Sequence, residues 1–202
     1  MAIIRAKSNE IQCKIVYYGP GRGGKTTNLI MIHKAIGAKI RGELISINTA
    51  GDRTIFFDFL PMDLGMIRNL NIKISVYTVP GQVRYNDTRK LVLRGVDGVV
   101  FVADSMEIRR AQNIESFQNF RENLDLLNVK SSSISVVLQY NKRDLESQNG
   151  TRIMPIEQME EDLNPNGEWP WIGASAVSGQ GVKETFKRIC MLTVANVGKQ
   201  LI

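Results

Sequence analysis

Residues 19–26 read GPGRGGKT, directly after an apolar, β-branched run and directly before a segment with helical spacing. This is the G-x-x-x-x-G-K-[ST] pattern in the strand–loop–helix context that a phosphate-binding loop requires. Its glycines let backbone N–H groups approach phosphate oxygens, and the helix N-terminus adds positive potential. Lys25 can reach the β- and γ-phosphates, and the hydroxyl of Thr26 can bind Mg²⁺. The residues predicted to bind the nucleotide in this region are Gly19, Gly21, Gly23, Gly24, Lys25, Thr26 and Thr27. This loop alone predicts nucleotide binding and leaves the base undetermined.

Apolar strands and amphipathic helices alternate around this loop. Strands are predicted at residues 12–18, 42–49, 55–60, 71–79, 98–103, 134–140 and 169–174, and helices at 25–36, 107–127, 155–163 and 181–197. Pro61 is expected to end its strand, because proline cannot donate to a strand ladder, and residues 62–69 to connect an antiparallel pair. The pattern predicts a single α/β domain over residues 1–202. We expect the three-layer P-loop NTPase fold, a mostly parallel sheet with one antiparallel strand and helices on both faces.

Composition excludes several classes of protein. Hydrophobic residues make up 43% and charged residues 23% of the 202 residues, as in ordinary globular proteins. The formal net charge is +6, but the basic residues are scattered, so we expect no nucleic-acid partner. Cys13 and Cys190 are too few for a disulfide framework or a metal cluster. No run of about 18 apolar residues occurs, so we expect no integral membrane segment and a cytoplasmic protein that is monomeric on its own.

The base is indicated by residues 141–144, which read NKRD directly after a predicted strand. A carboxylate at Asp144 can accept hydrogen bonds from N1–H and the exocyclic amine of guanine, whereas adenine would leave that charge unpaired. Sites built on such bonds can reject the wrong group by about 10⁴-fold. Asn141 is expected to brace the loop and to touch the edge of the base, and the stem of Lys142 to lie over the purine ring. A polar turn is the alternative for four residues alone, but their position after a phosphate-binding loop favours guanine.

Residues 173–176, GASA, follow the next predicted strand and resemble the third guanine-binding element of such proteins. The contact is assigned to Ser175 and Ala176, with the backbone N–H of Ala176 donating to guanine O6. Turns of small residues are common, so this element is less specific than the two before it.

Residues 78–82, TVPGQ, end a predicted strand and resemble the D-x-x-G-Q element of Ras-like proteins. In that element the glycine N–H contacts the γ-phosphate and the glutamine orients the attacking water. Gly81 and Gln82 match these roles, but Thr78 stands where the element has an acid. The candidates to brace Mg²⁺ in place of that acid are Thr78 acting through water, Asp52 and Asp58, and the sequence leaves them open.

A second threonine is expected to ligate Mg²⁺ together with Thr26 when the γ-phosphate is present. Thr54 and Thr49 are both candidates, and Thr54 is favoured because it abuts the next strand. Arg53, directly before it, is either a surface residue or a cation aimed at the phosphates, and chemistry alone favours neither. Arg22 is a competing cation, but its exposed position in the loop suits solvent better.

Several of these strings together resemble the MglA family, bacterial Ras-like GTPases that control cell polarity and motility. They are residues 16–21 (VYYGPG), 26–29 (TTNL), 52–54 (DRT), 56–59 (FFDF), 78–82 (TVPGQ) and 95–105 (GVDGVVFVADS). The resemblance runs from Glu10 to Asp144 and more loosely to the end of the chain. It is specific, because other Ras relatives lack the TVPGQ form.

The resemblance implies a Ras-like G domain that binds GTP or GDP with Mg²⁺ and hydrolyses GTP slowly without an activating partner. It implies that Arg53 is an arginine finger carried in the same chain, a group worth about 10³–10⁵ in rate. Catalysis would then depend on Gln82, Arg53 and Lys25. The implied activator is MglB, a small roadblock-type homodimer, and polarity or motility effectors at the cell poles would bind the GTP form. A GTP-binding adaptor with negligible hydrolysis is the alternative.

Overall fold

The apolar run before the phosphate-binding loop forms the central strand of the sheet. The computed structural model describes residues 3–5, 9–48, 56–67, 70–147 and 150–199. Its strands are β1 (Ile3–Arg5), β2 (Glu10–Tyr18), β3 (Ile45–Asn48), β4 (Phe56–Ile67), β5 (Leu70–Thr78), β6 (Gly98–Asp104), β7 (Ser135–Asn141) and β8 (Trp171–Gly173). Its helices are α1 (Lys25–Ala35), α2 (Asn86–Leu93), α3 (Arg110–Leu126), α4 (Ile156–Leu163) and α5 (Val182–Lys199).

Within the described residues these strands form one eight-stranded sheet. Their order is β3-β4-β5-β2-β6-β7-β8, with β1 paired to the start of β2. β2 is parallel to β5 and β6, and the pairs β6–β7 and β7–β8 are also parallel. β4 is antiparallel to both of its neighbours, and β1 is antiparallel to β2. The predicted α/β fold with a mostly parallel sheet is therefore confirmed.

Successive residues of β2 show how the sheet separates two cores. Ile15 and Tyr17 pack in the core beneath α1 and α5, whereas Val16 and Tyr18 pack in the core beneath α2, α3 and α4. All four side chains are fully buried. This alternation is the period-two geometry of a strand, and each buried Ile or Val contributes about 1.5–3 kcal/mol. The layers hold the ends of β2, β5, β6 and β7 together at one edge.

The prediction that Pro61 ends its strand is wrong. β4 continues through it, so the connection predicted at residues 62–69 is largely strand. Pro61 lies opposite Ser75 of β5, and its carbonyl accepts from the N–H of Gly42 on the other edge of β4. The nitrogen of a strand residue faces the same edge as its carbonyl, so the missing N–H is directed away from β5. β3 ends its pairing at Phe59, and the proline therefore interrupts no ladder.

α2 is a helix that the sequence pattern did not indicate. Its buried residues are Thr88, Arg89, Val92 and Leu93. Because two of these four are polar, the segment lacks the apolar periodicity that predicts an amphipathic helix. None of the helices described is long and apolar enough to cross a membrane.

Candidate functional site

The predicted motifs meet at the edge where the parallel strands end. The loop at residues 19–26, called the P-loop below, follows β2, and residues 78–82 begin at the end of β5. The NKRD segment begins at the end of β7, and GASA overlaps the end of β8. In open α/β sheets this edge is the usual place for a ligand. A cavity of about 520 Å³ lies there, between the P-loop, the end of β5 and the neighbouring strands β3 and β4.

The P-loop turns into α1 at Gly24. Its φ of +100° lies in the left-handed region that favours glycine. A Cβ there would lie 2.2 Å from Nδ2 of Asn141, so a side chain would collide with the first residue of the NKRD segment. Thr26 and Thr27, in the first turn of α1, both line the cavity. The sequence therefore places two hydroxyls at a helix N-terminus beside the predicted phosphates.

The ammonium group of Lys25 is buried inside the P-loop. It donates to the carbonyls of Gly19 at 3.1 Å and Pro20 at 2.7 Å. Burial, and then the nearby Arg89 guanidinium, lower the pKa of Lys25 to about 7. An anion beside this ammonium would oppose both effects, because an opposite charge favours the protonated form. The electrostatics of the loop therefore favour a bound phosphate.

A buried carboxylate, Asp58 of β4, lies beside the start of α1. Its Oδ2 accepts hydrogen bonds from the hydroxyls of Thr26 at 2.7 Å and Thr78 at 2.9 Å. Its Oδ1 accepts from the hydroxyl of Ser46 at 2.8 Å, and its backbone N–H donates to Thr78 Oγ1 at 2.8 Å. Hard oxygen groups of this kind are what Mg²⁺ prefers, so the residues present fit a magnesium ion bound with a nucleotide.

Gly81 packs directly on the P-loop. A Cβ on it would lie 2.3 Å from Cα of Gly21 and 2.8 Å from Nζ of Lys25, so a larger residue would push β5 away from the loop. Gln82 follows with an exposed side chain. It lines a second cavity, of about 350 Å³, between the P-loop and α3. The structure thus brings the predicted γ-phosphate contact and the predicted water-orienting residue to the same loop.

The side-chain amide of Asn141 joins three loops. Its Nδ2 donates to the carbonyl of Gly23, and its Oδ1 accepts from the backbone N–H of Ala176, both at 2.8 Å. Asn141 is buried, so water does not compete for these bonds. The N–H that the sequence assigned to guanine O6 is thus donated to Asn141 here, and the guanine contact of Ala176 stays a prediction.

Two residues that the sequence did not assign to the site, Asp104 and Arg109, support its base side, which consists of the NKRD and GASA segments. Asp104, at the end of β6, is fully buried, and its Oδ2 lies 2.6 Å from Nζ of Lys142. Arg109 has its Nε 3.7 Å from the same oxygen and donates from Nη2 to the carbonyl of Gly21 at 2.8 Å. A chain of contacts therefore runs from Lys142 to the P-loop. An acid directly after an apolar strand at the ligand edge was the available signal.

The remaining predicted residues lie at the base side or outside the described ranges. Asp144 is partly buried in the 3₁₀ turn Arg143–Ser147, which follows β7, and Ser175 is buried after β8. Four residues lie outside the described part of the chain, namely Thr49, Asp52, Arg53 and Thr54. Of the two acids proposed to brace Mg²⁺, Asp58 lies in the described part of the chain, and it contacts Thr26.

Comparison with known proteins gives one consistent family. A sequence profile described as the Ras family matches residues 42–194. Mutual gliding-motility protein MglA of Myxococcus xanthus (strain DK1622) is 47% identical over 199 residues, which are 98% of this chain and 99% of that protein. ADP-ribosylation factor-like protein 2 of Arabidopsis thaliana is 24% identical over 191 residues, 92% of this chain and 90% of that protein. Putative ras-related protein Rab-5B of Dictyostelium discoideum is 27% identical over 145 residues, 72% and 63% respectively.

The profile covers most of the chain, and the similarity to MglA extends over nearly all of it, including the P-loop. Proteins of this family bind GTP or GDP with Mg²⁺, and this chain shares that property. The strand order and the arrangement of motifs along the sheet edge agree with that assignment. The chain belongs to the Ras family of small GTPases and is MglA-like within it.

Proposed function

We propose that the protein is a molecular switch that binds GTP, hydrolyses it to GDP and phosphate, and presents a different surface to its partners in each state. The observation that carries this proposal is the convergence of four residues on one cavity: Lys25, Thr26, Asp58 and Gly81. Phosphoryl transfer depends on positioning and on charge stabilisation, and these residues supply an ammonium, a hydroxyl, a carboxylate and a backbone N–H. The family membership of the chain supports the same reaction.

Asp58 takes the acidic role that Thr78 leaves open. It lies 2.7 Å from the Thr26 hydroxyl and receives a 2.9 Å hydrogen bond from Thr78. In the GTP form, Thr26 and Thr54 would hold Mg²⁺, and Asp58 would orient Thr26 as a partner outside the coordination sphere. When bound, Mg²⁺ would supply positive charge that neutralises the charge developing on the transferred phosphate.

Hydrolysis would then depend on three further groups. Lys25 places its ammonium against the β- and γ-phosphates, and Gln82 aligns the attacking water. Arg53 supplies the guanidinium of an arginine finger, a role that rests on the resemblance to the MglA family. Such a finger is worth about 10³–10⁵ in rate only when it is in place. We therefore expect slow hydrolysis until a partner holds the segment that carries Arg53.

The cellular role is proposed from the relative that matches almost the whole chain, a protein named for gliding motility. We expect effectors of cell polarity or motility to bind the GTP form, and to recruit this cytoplasmic protein to the cell poles. We expect a roadblock-type homodimer similar to MglB to accelerate hydrolysis. The chain itself would act as a single G domain over residues 1–202, monomeric when alone.

Single-turnover hydrolysis of GTP by the purified protein with Mg²⁺, with and without a roadblock-type partner, tests the proposal. We expect slow hydrolysis by the wild type and a large acceleration by the partner. Gln82→Leu should reduce both rates, and Arg53→Ala should remove about 10³-fold of the accelerated rate. Arg188→Ala, which removes an exposed arginine from α5, is the matched control and should behave as the wild type.

The outcomes separate the switch from its alternative. GTP binding with no hydrolysis by the wild type under either condition would identify a GTP-binding adaptor. Acceleration that survives Arg53→Ala would remove the arginine finger and leave the rest of the switch mechanism in place.

A further inference from the structure

Arg89 in α2 is a fully buried cation that the proposed chemistry does not use. It is among the largest fully buried side chains of the described residues, with 0% of its surface exposed. In the described part of the chain, its hydrogen-bond acceptors are uncharged oxygens of Tyr18, Gly81 and Ser116. Burying a charge among uncharged partners is costly, so this placement calls for an explanation beyond packing.

The guanidinium of Arg89 reaches three different parts of the site. Its Nε donates to the Tyr18 hydroxyl at 2.9 Å, and its Cζ lies 4.3 Å from the centroid of that ring. Its Nη1 donates to the carbonyl of Gly81 at 3.2 Å, and its Nη2 to the hydroxyl of Ser116 in α3 at 2.8 Å. Tyr18 is the last residue of β2 before the P-loop. One side chain therefore ties the segment after β5 to the P-loop strand and to α3.

An amide network holds the start of α2 to the same two elements. Oδ1 of Asn86, the first residue of α2, accepts from Asn119 at 2.8 Å and from Asn123 at 2.7 Å. The Tyr18 hydroxyl donates to Asn119 at 2.8 Å and accepts from Asn123 at 3.0 Å. Most groups of this network have more than one partner, so the contacts support one another. α2 is thus fixed on α3 at both Asn86 and Arg89.

The contact with Gly81 is the one that reaches the proposed chemistry. The carbonyl of Gly81 belongs to the same peptide unit as the N–H of Gln82. The carbonyl of Gln82 accepts from the N–H of Tyr85 at 3.1 Å. The backbone of Gln82 is therefore held on both sides, while its side chain remains exposed at the cavity beside the P-loop.

We infer that Arg89 is a positioning residue for GTP hydrolysis: it fixes the Gly81–Gln82 peptide on β2 and α3, and so sets where the Gln82 side chain can hold the attacking water. The inference rests on the proposed GTPase function. A guanidinium spreads its donors over three nitrogens in one rigid plane, whereas the three donors of a lysine ammonium project from a single nitrogen and do not reach the same three acceptors. Because a displacement of about 1 Å in a catalytic group costs about 10²-fold in rate, hydrolysis depends on this contact more than nucleotide binding does.

The test compares Arg89→Lys and Arg89→Met with Arg94→Met, which removes an exposed arginine next to the end of the same helix. Single-turnover hydrolysis should fall at least about tenfold in both Arg89 variants and remain at the wild-type rate in Arg94→Met. The affinity for fluorescently labelled GDP should change by less than about threefold in all of them. This split between rate and affinity separates positioning from a general loss of structure.

Hydrogen exchange provides a second measurement that does not need hydrolysis. Amides of residues 81–86 should exchange faster in Arg89→Met by about tenfold, while those of β7 stay at the wild-type rate. Ser116→Ala removes one acceptor of Arg89 and is the milder change. Tyr18→Phe removes another acceptor together with the contacts of that hydroxyl to Asn119 and Asn123. Each should slow hydrolysis by roughly two- to tenfold and loosen the same amides.

A folded Arg89→Met variant with the wild-type hydrolysis rate would overturn the inference, as would a rate that falls by the same factor as GDP affinity. If the wild type hydrolyses no GTP, the proposed function fails, and the exchange measurement still decides: unchanged exchange at residues 81–86 overturns the positioning role. If Arg89→Met does not fold, a Ser116→Ala variant with wild-type rate and exchange overturns it instead.

Discussion

Two sides of the site are held together in different ways. The base side consists of the NKRD and GASA segments, and the phosphate-sensing side consists of Asp58 and residues 78–82. On the base side, Asn141 bonds to backbone groups of two loops at 2.8 Å each, and Lys142 pairs with the buried carboxylate of Asp104. On the phosphate-sensing side, the contacts of Asp58 with Thr26 join side chains that come from different elements. These hydroxyl and carboxylate groups are ones that a metal ion or a phosphate can engage itself.

The difference assigns different tasks to the two sides. Backbone anchors between loops need not change with the nucleotide, so we expect the base side to be preorganised for affinity. Hydroxyl and carboxylate contacts can be replaced when a γ-phosphate and Mg²⁺ arrive, so the other side is suited to respond. The same separation predicts that changes on the base side affect binding and changes on the phosphate-sensing side affect hydrolysis and metal dependence.

The largest effect is expected on the base side, from Asp144→Asn. An amide presents donors where guanine N1–H and the exocyclic amine need an acceptor, so GDP affinity should fall at least about 10³-fold. Xanthosine diphosphate, which carries a carbonyl in place of that amine, should bind better than it does to the wild type. Competition against fluorescent GDP measures both, with Asp125→Asn on the exposed face of α3 as the control. Unchanged GDP affinity without a gain for the xanthine nucleotide would contradict the assignment of Asp144.

Gly81→Ala should affect hydrolysis rather than binding. The new Cβ would lie 2.3 Å from Cα of Gly21, so the end of β5 must move away from the P-loop. We expect single-turnover hydrolysis to slow by about 10²-fold, with GDP affinity within about threefold of the wild type. Gly37→Ala is the matched control, because a Cβ there meets nothing within 4 Å. Equal loss of affinity and rate would show that Gly81 serves the whole pocket.

Asp58→Ala should lower the affinity for Mg²⁺, by a smaller factor than the two effects above. Removing a partner outside the coordination sphere typically costs about 10–100-fold in metal affinity, so the Mg²⁺ concentration that half-suppresses GDP release should rise by about tenfold. Adding Thr78→Asp to that variant returns a carboxylate from β5 and should restore part of the loss. Asp63→Ala, in an exposed position of the same strand, is the control. If Asp58→Ala leaves the Mg²⁺ titration unchanged, Asp58 is not the brace.

The two sides also differ in how far the sequence could predict them. The P-loop and the NKRD segment each follow a strand within one continuous stretch, so a local pattern was enough to place them. The contact between Asp58 and Thr78 depends on the antiparallel register of β4 and β5, which pairs Phe59 with Tyr77. No local pattern sets that register, and the sequence therefore left Asp58 as one of three candidates.

α2 and its network show a second limit. The buried face of α2 is partly polar, and its partners come from β2 and α3, with Ser116 27 positions further along the chain than Arg89. A buried arginine with uncharged partners is indistinguishable in sequence from an arginine on a solvated surface. The prediction that Pro61 ends its strand was wrong for a related reason. The effect of the proline depended on which edge of β4 its nitrogen faced, and not on its presence in a strand.

The smallest effect of the bound nucleotide is expected on the reactivity of two buried thiols, in the core beneath the site. Cys13 in β2 and Cys190 in α5 are buried in the same cluster. Burial raises the pKa of Cys13 to about 12 and raises that of Cys190 above its ordinary value. At pH 8 the thiolate fraction of Cys13 is then about 10⁻⁴, against about a quarter for a free cysteine. Reaction with an aromatic disulfide reagent should be slow, should rise about tenfold per pH unit between pH 7 and 9, and should become fast in denaturant.

If the phosphate-sensing side moves independently of this core, exchanging GDP for a non-hydrolysable GTP analogue should leave the thiol reaction rate unchanged. The contacts expected to respond join α1 to β4 and the segment after β5 to α2, whereas Cys13 lies in β2 and Cys190 in α5. Cys13→Ser and Cys190→Ser assign the signal to one thiol or the other. A rate that rises more than about threefold with the analogue would mean that local opening reaches the strand beneath the P-loop. The two sides of the site would then share one moving element, and the separation between binding and response would not hold.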